Sequence, residues 1–156
     1  MKAHRCLIFI LIFLAVQAAI AEETADQVKR VEPFKALRFG MFICWSFSTF
    51  SDTEWTPGIK DLSFFHPTGM DVDQWARTAK EAGMGYLLFL TKHHDGFCLW
   101  DTKTTSWKVP NSPLGRDVLA EVRRACDRHG LQLALYFSEG DWTWTGGDAL
   151  WQDLGL

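Results

Sequence analysis

The stretch Gly85-Tyr86-Leu87-Leu88-Phe89-Leu90-Thr91-Lys92-His93-His94-Asp95-Gly96-Phe97 joins an apolar segment directly to a polar cluster. The apolar part, Tyr86–Thr91, is too short for a typical helix, and its aromatic and branched side chains predict a strand that is buried on both faces. Two imidazoles and a carboxylate follow. Their burial costs free energy unless they have hydrogen-bonding partners or serve a function. We therefore expect the chemistry of the protein at the carboxyl end of this strand, where Gly96 lets the backbone turn sharply.

The composition is that of an ordinary globular domain, with 47% apolar and 22% charged residues in a chain of 156. The net charge of −3 comes from mixed acidic and basic residues, and the absence of a basic stripe argues against nucleic acid as a partner. Aromatic residues are abundant, with 8 Trp and 12 Phe. Such rings fill cores, but their faces also stack against sugar rings.

The amino terminus has the pattern of a secretory signal peptide. Basic residues precede the apolar run Cys6–Ile20, and the small-x-small sequence Ala19-Ile20-Ala21 directly precedes Glu22. We predict a signal peptide over residues 1–21 and a secreted, periplasmic or lysosomal mature chain without a membrane anchor. A membrane anchor is the alternative, although the run is shorter than the roughly 20 residues that a spanning helix needs.

Strands and helices are predicted to alternate along the rest of the chain. A short helix is expected over Thr24–Arg30, and the later helices are expected to start at Asp71 and Asp117 as N-caps and to end at glycines. Because parallel neighbours need crossover helices, this order predicts an α/β fold with a parallel sheet. The expected strands are Phe39–Trp45, Tyr86–Thr91 and Leu131–Phe137.

A polar cluster follows each predicted strand, and the carboxyl ends of parallel strands meet at one edge of a sheet. The clusters begin at Ser46, His93 and Ser138, so we expect them to converge on one pocket. A complete (β/α)8 TIM barrel takes about 250 residues. We therefore predict an incomplete barrel made of the first three βα units.

Five motifs resemble the amino-terminal half of the α-L-fucosidases of glycoside hydrolase family 29, over about 34–144. The resemblance implies that residues 22–156 are the amino-terminal part of a (β/α)8 catalytic domain, in a retaining enzyme that removes terminal α-L-fucose from glycans or glycoconjugates without a cofactor. It also implies that the nucleophile and the acid/base lie beyond Leu156, so that this chain alone is expected to be inactive. The motifs are Arg38–Trp45, Glu54-Trp55, Lys92–Trp100, Arg116-Asp117 and Tyr136-Phe137-Ser138.

The same resemblance implies roles for individual residues. His93 and His94 are expected to bind the hydroxyl groups of fucose, Glu54 and Trp55 to form the pocket wall, and Tyr136 to lie near its floor. Cys44 and Trp45 are further candidates for substrate contact, and no residue is expected to bind a metal.

One position departs from the family pattern. The first strand of the family usually ends Ile-His-Trp-Gly, whereas here it ends Ile43-Cys44-Trp45-Ser46. A thiol is a weaker donor and acceptor than an imidazole. The change indicates either a shifted substrate preference or early decay of the site.

Several residues keep a second interpretation. Asp95 is interpreted as a partner that fixes a histidine tautomer rather than as a catalytic acid. Glu139 and Asp141 could form a carboxylate pair, although their family counterparts are not catalytic. Trp45 and Trp100 are core residues or sugar platforms, and Cys44 would need a lowered pKa to act as a nucleophile.

Two other functions remain open at this point. A zinc hydrolase could use Cys44, His93, His94 and Asp95, since thiolate, imidazole and carboxylate all bind zinc. A non-catalytic sugar-binding module would keep the binding residues without the catalytic carboxylates.

Overall fold

The computed structural model describes residues 17, 26–53, 56 and 59–143, and it divides the chain into two units, Met1–Arg38 and Phe39–Leu156. In the first unit a helix (α1) covers residues 26–36. It continues past Arg30, where the predicted helix ended, and an ion pair of 2.9 Å between Lys35 and Glu32 spans its last turn. The predicted start at Thr24 and all but one residue of the predicted signal peptide lie outside the described residues.

The second unit contains a parallel sheet of three strands in the order β1-β2-β3. The strands are β1 Gly40–Ile43, β2 Tyr86–Lys92 and β3 Gln132–Phe137. Both pairings are parallel, with Gly40 beside Tyr86 and Tyr86 beside Gln132. The predicted α/β fold with a parallel sheet is therefore confirmed, although β1 is shorter than the apolar run that predicted it.

Two helices connect the strands as the sequence predicted, and a third, short helix lies where a loop was predicted. The short helix, α2 Ser48–Ser51, follows β1, whereas α3 Val72–Glu81 precedes β2 and α4 Val118–His129 precedes β3. The Asp71 carboxylate accepts a hydrogen bond of 2.9 Å from the Gln74 backbone N–H, and Asp117 caps α4 in the same way. These caps satisfy N–H groups that have no partner within the helix.

The helices cover one face of the sheet. Leu87 and Phe89 of β2 are fully buried beneath α3 and α4, because alternate residues of a strand point to the same face. The core is continuous and is completed by aromatic residues from the loops. Its fully buried members include Phe47, Phe65, Ala76, Ala79, Phe97, Val118, Val122 and Ala125.

The opposite face and the β3 edge carry exposed apolar side chains. Phe42 of β1 is 50% exposed, and its ring lies 5.7 Å from that of Tyr136 on β3, across the central strand. Leu135 and Phe137 on β3 are 56% and 52% exposed. Exposed apolar side chains on the free face and edge of a sheet are typical of an interface that a partner element covers.

An irregularity in the pairing of β2 with β3 falls between Leu90 and Lys92. Thr91 is the extra residue on β2, and its hydroxyl donates a hydrogen bond of 2.7 Å to the Tyr136 carbonyl. Its own carbonyl accepts the Leu99 N–H at 2.9 Å. Such a bulge bends the strand end and redirects the residues that follow it.

In the described part of the chain, no helix combines the length and the apolar character needed to cross a lipid bilayer.

We expect Asp117→Ala to lower the free energy of unfolding by about 1–2 kcal/mol, because the α4 cap is lost. The Asp117 carboxylate also accepts the Asp101 N–H at 3.0 Å, and this bond disappears too. Urea denaturation followed by circular dichroism measures the change.

The matched control is Asp127→Ala, which removes only an exposed ion pair with Arg123 within α4. Its expected cost is about 0.3–0.5 kcal/mol. Equal losses in the two variants would show that the cap contributes nothing specific.

Candidate functional site

The segments that follow the three strands meet at one edge of the sheet, as predicted. From the segment after β1, the Ser46 hydroxyl donates a hydrogen bond of 3.2 Å to the Asp95 carboxylate after β2. From the segment after β3, the Trp142 N–H donates a bond of 2.8 Å to the His94 carbonyl. The turn 93–96 after the central strand therefore connects both neighbouring loops.

Asp95 is buried and accepts three hydrogen bonds. The Phe97 N–H donates at 3.0 Å to one carboxylate oxygen, and the hydroxyls of Ser46 and Thr56 donate at 3.2 and 3.3 Å to the other. Burial raises the pKa of Asp95, while these bonds act in the opposite direction. The carboxylate thus ties two loops to the β2 turn. Its predicted role in fixing a histidine tautomer stays a prediction.

His93 is half-buried, and its ring stacks on that of Tyr136 with 6.3 Å between centroids and 19° between planes. Burial lowers the pKa of His93, the neighbouring His94 and Lys92 lower it further, and Asp95 opposes them. The imidazole is therefore neutral near pH 7. A neutral imidazole both donates and accepts hydrogen bonds, which suits the recognition of hydroxyl groups.

His94 is also half-buried, and its Nδ1 lies 2.9 Å from the Gly140 carbonyl oxygen. Because a carbonyl can only accept, Nδ1 carries the proton in this contact. In the neutral ring Nε2 is then the acceptor nitrogen. The His94 ring also lies 4.6 Å from that of His93 and 5.2 Å from that of Trp142.

Tyr136 completes this cluster from β3. Its ring lies between those of His93 and Phe42, and its hydroxyl accepts a hydrogen bond of 3.3 Å from Ser138. The structure therefore brings together three residues that sequence analysis assigned to one pocket, one from β3 and two from the turn after β2.

The candidates after β1 differ in their surroundings. Cys44 is exposed, and partial burial raises the pKa of its thiol, which disfavours the thiolate that a nucleophile requires. Trp45 packs edge-on against Phe65 at 4.9 Å and Trp75 at 5.5 Å, which are contacts of a core residue. Its predicted contact with substrate stays a prediction.

Two predicted pocket residues, Glu54 and Trp55, lie outside the described residues. Within the described residues, no three His, Cys, Asp or Glu side chains approach closely enough to hold a metal ion. This finding gives the zinc hydrolase hypothesis no support.

Sequence analysis missed a buried ion pair beside the histidines. The Lys92 ammonium lies 3.0 Å from the Asp141 carboxylate, and the two side chains are only 8% and 15% exposed. Thr143 and Lys92 lower the pKa of Asp141 through hydrogen bonds, against the effect of burial. A lysine at the end of a strand buried on both faces was the available signal, because such a charge requires a partner.

His93 is expected to titrate below the ordinary histidine pKa of about 6.5. The protonated form is disfavoured by burial and by the neighbouring groups His94 and Lys92, despite Asp95. Since the unfolded imidazole binds its proton more readily, stability is lost as the pH falls from about 6.5 through the lower folded value.

Proton NMR of the histidine C2 resonances measures the midpoint of the His93 titration, and a His93→Gln variant assigns the signal. A midpoint at or above about 6.5 would contradict the prediction.

Three comparisons with known proteins indicate the same family. A family model described as alpha-L-fucosidase matches residues 59–152. Alpha-L-fucosidase 1 of Arabidopsis thaliana is 38% identical over 104 residues, covering 65% of this chain and 21% of the plant protein. Alpha-L-fucosidase isoenzyme 1 from Paenibacillus thiaminolyticus is similar in structure, with a TM-score of 0.68, 39% identity and coverage of 72% of this chain and 29% of that one.

A third similar protein is a family 29 alpha-L-fucosidase from Bacteroides thetaiotaomicron, solved as a trapped covalent intermediate in complex with 2-fluoro-fucosyl fluoride. The TM-score is 0.65 and the identity 31%, over 78% of this chain and 34% of that one. The chain thus spans about a fifth to a third of the length of these relatives. The family model covers more than half of the 156 residues. The chain belongs to the α-L-fucosidase family.

Proposed function

We propose that this chain supplies the sugar-binding part of a retaining glycoside hydrolase that removes terminal α-L-fucose from glycans or glycoconjugates. The observation that carries the proposal is the cluster of His93, His94 and Tyr136 at the carboxyl edge of the sheet, in a member of the α-L-fucosidase family. The fucosylated glycan is the proposed partner.

The chemistry of the cluster fits a sugar. A neutral His93 offers one donor and one acceptor, and His94 offers Nε2 as an acceptor when Nδ1 donates to the Gly140 carbonyl. Sugar hydroxyls need both kinds of group. The Trp142 ring beside His94 offers an aromatic face for the C–H groups of a sugar.

The proposed architecture of the whole catalytic domain is a (β/α)8 barrel of which this chain forms the first three βα units. Barrel interiors are filled by layers of side chains that come from alternate strands. The contact of 5.7 Å between Phe42 on β1 and Tyr136 on β3 supports this arrangement. The exposed Leu135 and Phe137 on β3 are then covered by the next units of the barrel.

Retaining hydrolysis needs two carboxyl groups about 5–5.5 Å apart, one as nucleophile and one as acid and base. Asp95 and Asp141 are poor candidates, because Asp95 is occupied by three hydrogen bonds and Asp141 by its ion pair. The proposed catalytic pair is the one that the family resemblance implies, which lies outside residues 1–156. The trapped intermediate of the Bacteroides relative supports a covalent route.

The proposed location is outside the cytosol, by way of the signal peptide over residues 1–21. Basic residues followed by the apolar run Cys6–Ile20 support this proposal.

The test is calorimetric titration of the chain with L-fucose. We expect saturable binding that His93→Phe weakens roughly two- to twelvefold, because one hydrogen bond worth about 0.5–1.5 kcal/mol is lost while the ring contact with Tyr136 is kept. The matched control is His66→Phe at an exposed loop position, which should leave the affinity unchanged. Equal effects of the two substitutions, or no binding by the unmodified chain, would overturn the assignment.

The same preparation should not hydrolyse an aryl α-L-fucoside, because the proposed catalytic carboxylates are missing. Release of the aryl group by the chain alone would place the catalytic pair within residues 1–156. Binding without turnover would leave the family assignment intact and describe this chain as a sugar-binding half.

A further inference from the structure

Residues 140–142 of the loop after β3 are held against the end of β2 and the turn after it by three polar contacts. Lys92 pairs with Asp141 at 3.0 Å, the Gly140 carbonyl accepts from His94 Nδ1 at 2.9 Å, and the Trp142 N–H donates to the His94 carbonyl at 2.8 Å. Two of these contacts hold His94 itself. The third joins Lys92, at the end of β2, to Asp141, which lies between Gly140 and Trp142 in the sequence.

The ion pair between Lys92 and Asp141 lies in the interior of the protein. Lys92 is 8% exposed and its ammonium lies 4.8 Å from the centre of the Phe137 ring, while Asp141 also accepts the Thr143 hydroxyl at 2.5 Å. Removing two charges from water costs free energy that mutual attraction repays only with good geometry. A buried ion pair is therefore weak evidence for added stability. It is better interpreted as a contact that selects one conformation of the loop.

Gly96 shows how closely the loop approaches the turn. Its φ of +72° lies in the left-handed region that favours glycine, and an added Cβ would lie 2.8 Å from the Asp141 carboxylate. A side chain at position 96 would displace Asp141 from Lys92. The turn after β2 is therefore shaped to receive the loop that carries Gly140.

We propose that Lys92 and Asp141 are positioning residues, whose ion pair holds the Gly140 carbonyl against His94 and thereby selects the ring form with the proton on Nδ1. The proposal rests on the proposed function, because Nε2 is then kept as the acceptor for a sugar hydroxyl. Without the pair, the loop that carries Gly140 loses its anchor in the interior. The imidazole then exchanges between its two neutral tautomers.

The experiment reads the tautomer directly, independently of any sugar. Long-range ¹H–¹⁵N NMR correlations are recorded on the histidine-labelled chain at a pH about two units above 6.5, where an ordinary histidine is neutral. In the unmodified chain we expect a protonated Nδ1 and an unprotonated Nε2 for His94. The opposite tautomer, or a mixture, overturns the proposal without any variant.

Asp141→Asn tests the role of the pair, because it keeps the shape of the side chain and removes its charge. We expect a mixture of tautomers at His94 and fucose affinity lowered roughly two- to twelvefold, whereas Lys92→Arg alone, which keeps both charges, should retain the single tautomer. Asp101→Asn is the matched control, since it breaks a Lys–Asp pair of 2.7 Å with Lys108 outside the site. A single unchanged tautomer in Asp141→Asn overturns the proposal.

A second variant covers the case in which Asp141→Asn does not fold. Lys92→Met keeps the length of the side chain and removes the other charge of the pair. A mixture of His94 tautomers supports the proposal, and a single unchanged tautomer overturns it. The tautomers could respond as expected while no variant changes fucose binding. That result would support the positioning role of Lys92 and Asp141 and would overturn the proposed function.

Discussion

Parallel pairing of β2 with both of its neighbours is the constraint on which the rest of the structure depends. It brings the ends of β1, β2 and β3 to one edge, and it leaves the central strand buried by helices on one face. A crossover helix is needed between parallel strands, so α3 and α4 follow from the same constraint. The polar segments that follow the three strands therefore lie at this shared edge.

The end of β2 and the turn after it form the centre of that edge, because they contain two buried charged groups that bond to the segments on either side. Asp95 accepts hydrogen bonds from the segments on the β1 side, while Lys92 pairs with the loop after β3. Hydrogen bonds to charged groups contribute about 1.5–3 kcal/mol each, and leaving such a group buried without a partner costs more than the bond contributes. His93 and His94 are thus held from both sides by groups that are themselves satisfied.

Part of the aromatic content forms a core beneath the functional turn. Phe47, Phe65 and Phe97 are fully buried and contact one another at 4.5–5.6 Å, with Trp107 stacked on Phe47. The Trp107 indole also donates a hydrogen bond of 3.0 Å to the Asp95 carbonyl. The aromatic core therefore supports the backbone of the functional turn. Aromatic composition alone does not separate such core rings from rings that meet a sugar.

Sequence by itself determined the local elements and their order. The caps at Asp71 and Asp117, the glycine at the end of α4 and the apolar run of β2 depend on neighbouring residues, so their patterns can be recognised without the fold. Because parallel strands share an edge, the meeting of the polar segments could also be predicted. Alternation and capping carry this information within a few residues.

Only the tertiary structure decided which side chains meet. Lys92 and Asp141 are 49 residues apart, and the same separation divides Ser46 from Asp95. The stacking of His93 on Tyr136 depends likewise on strand register and on the bulge at Thr91. No local pattern records such pairings, because they arise from how strands and loops are placed against one another. The same reason explains why Trp45 packs against Phe65 and Trp75 in the core, although its sequence context also suited a sugar platform.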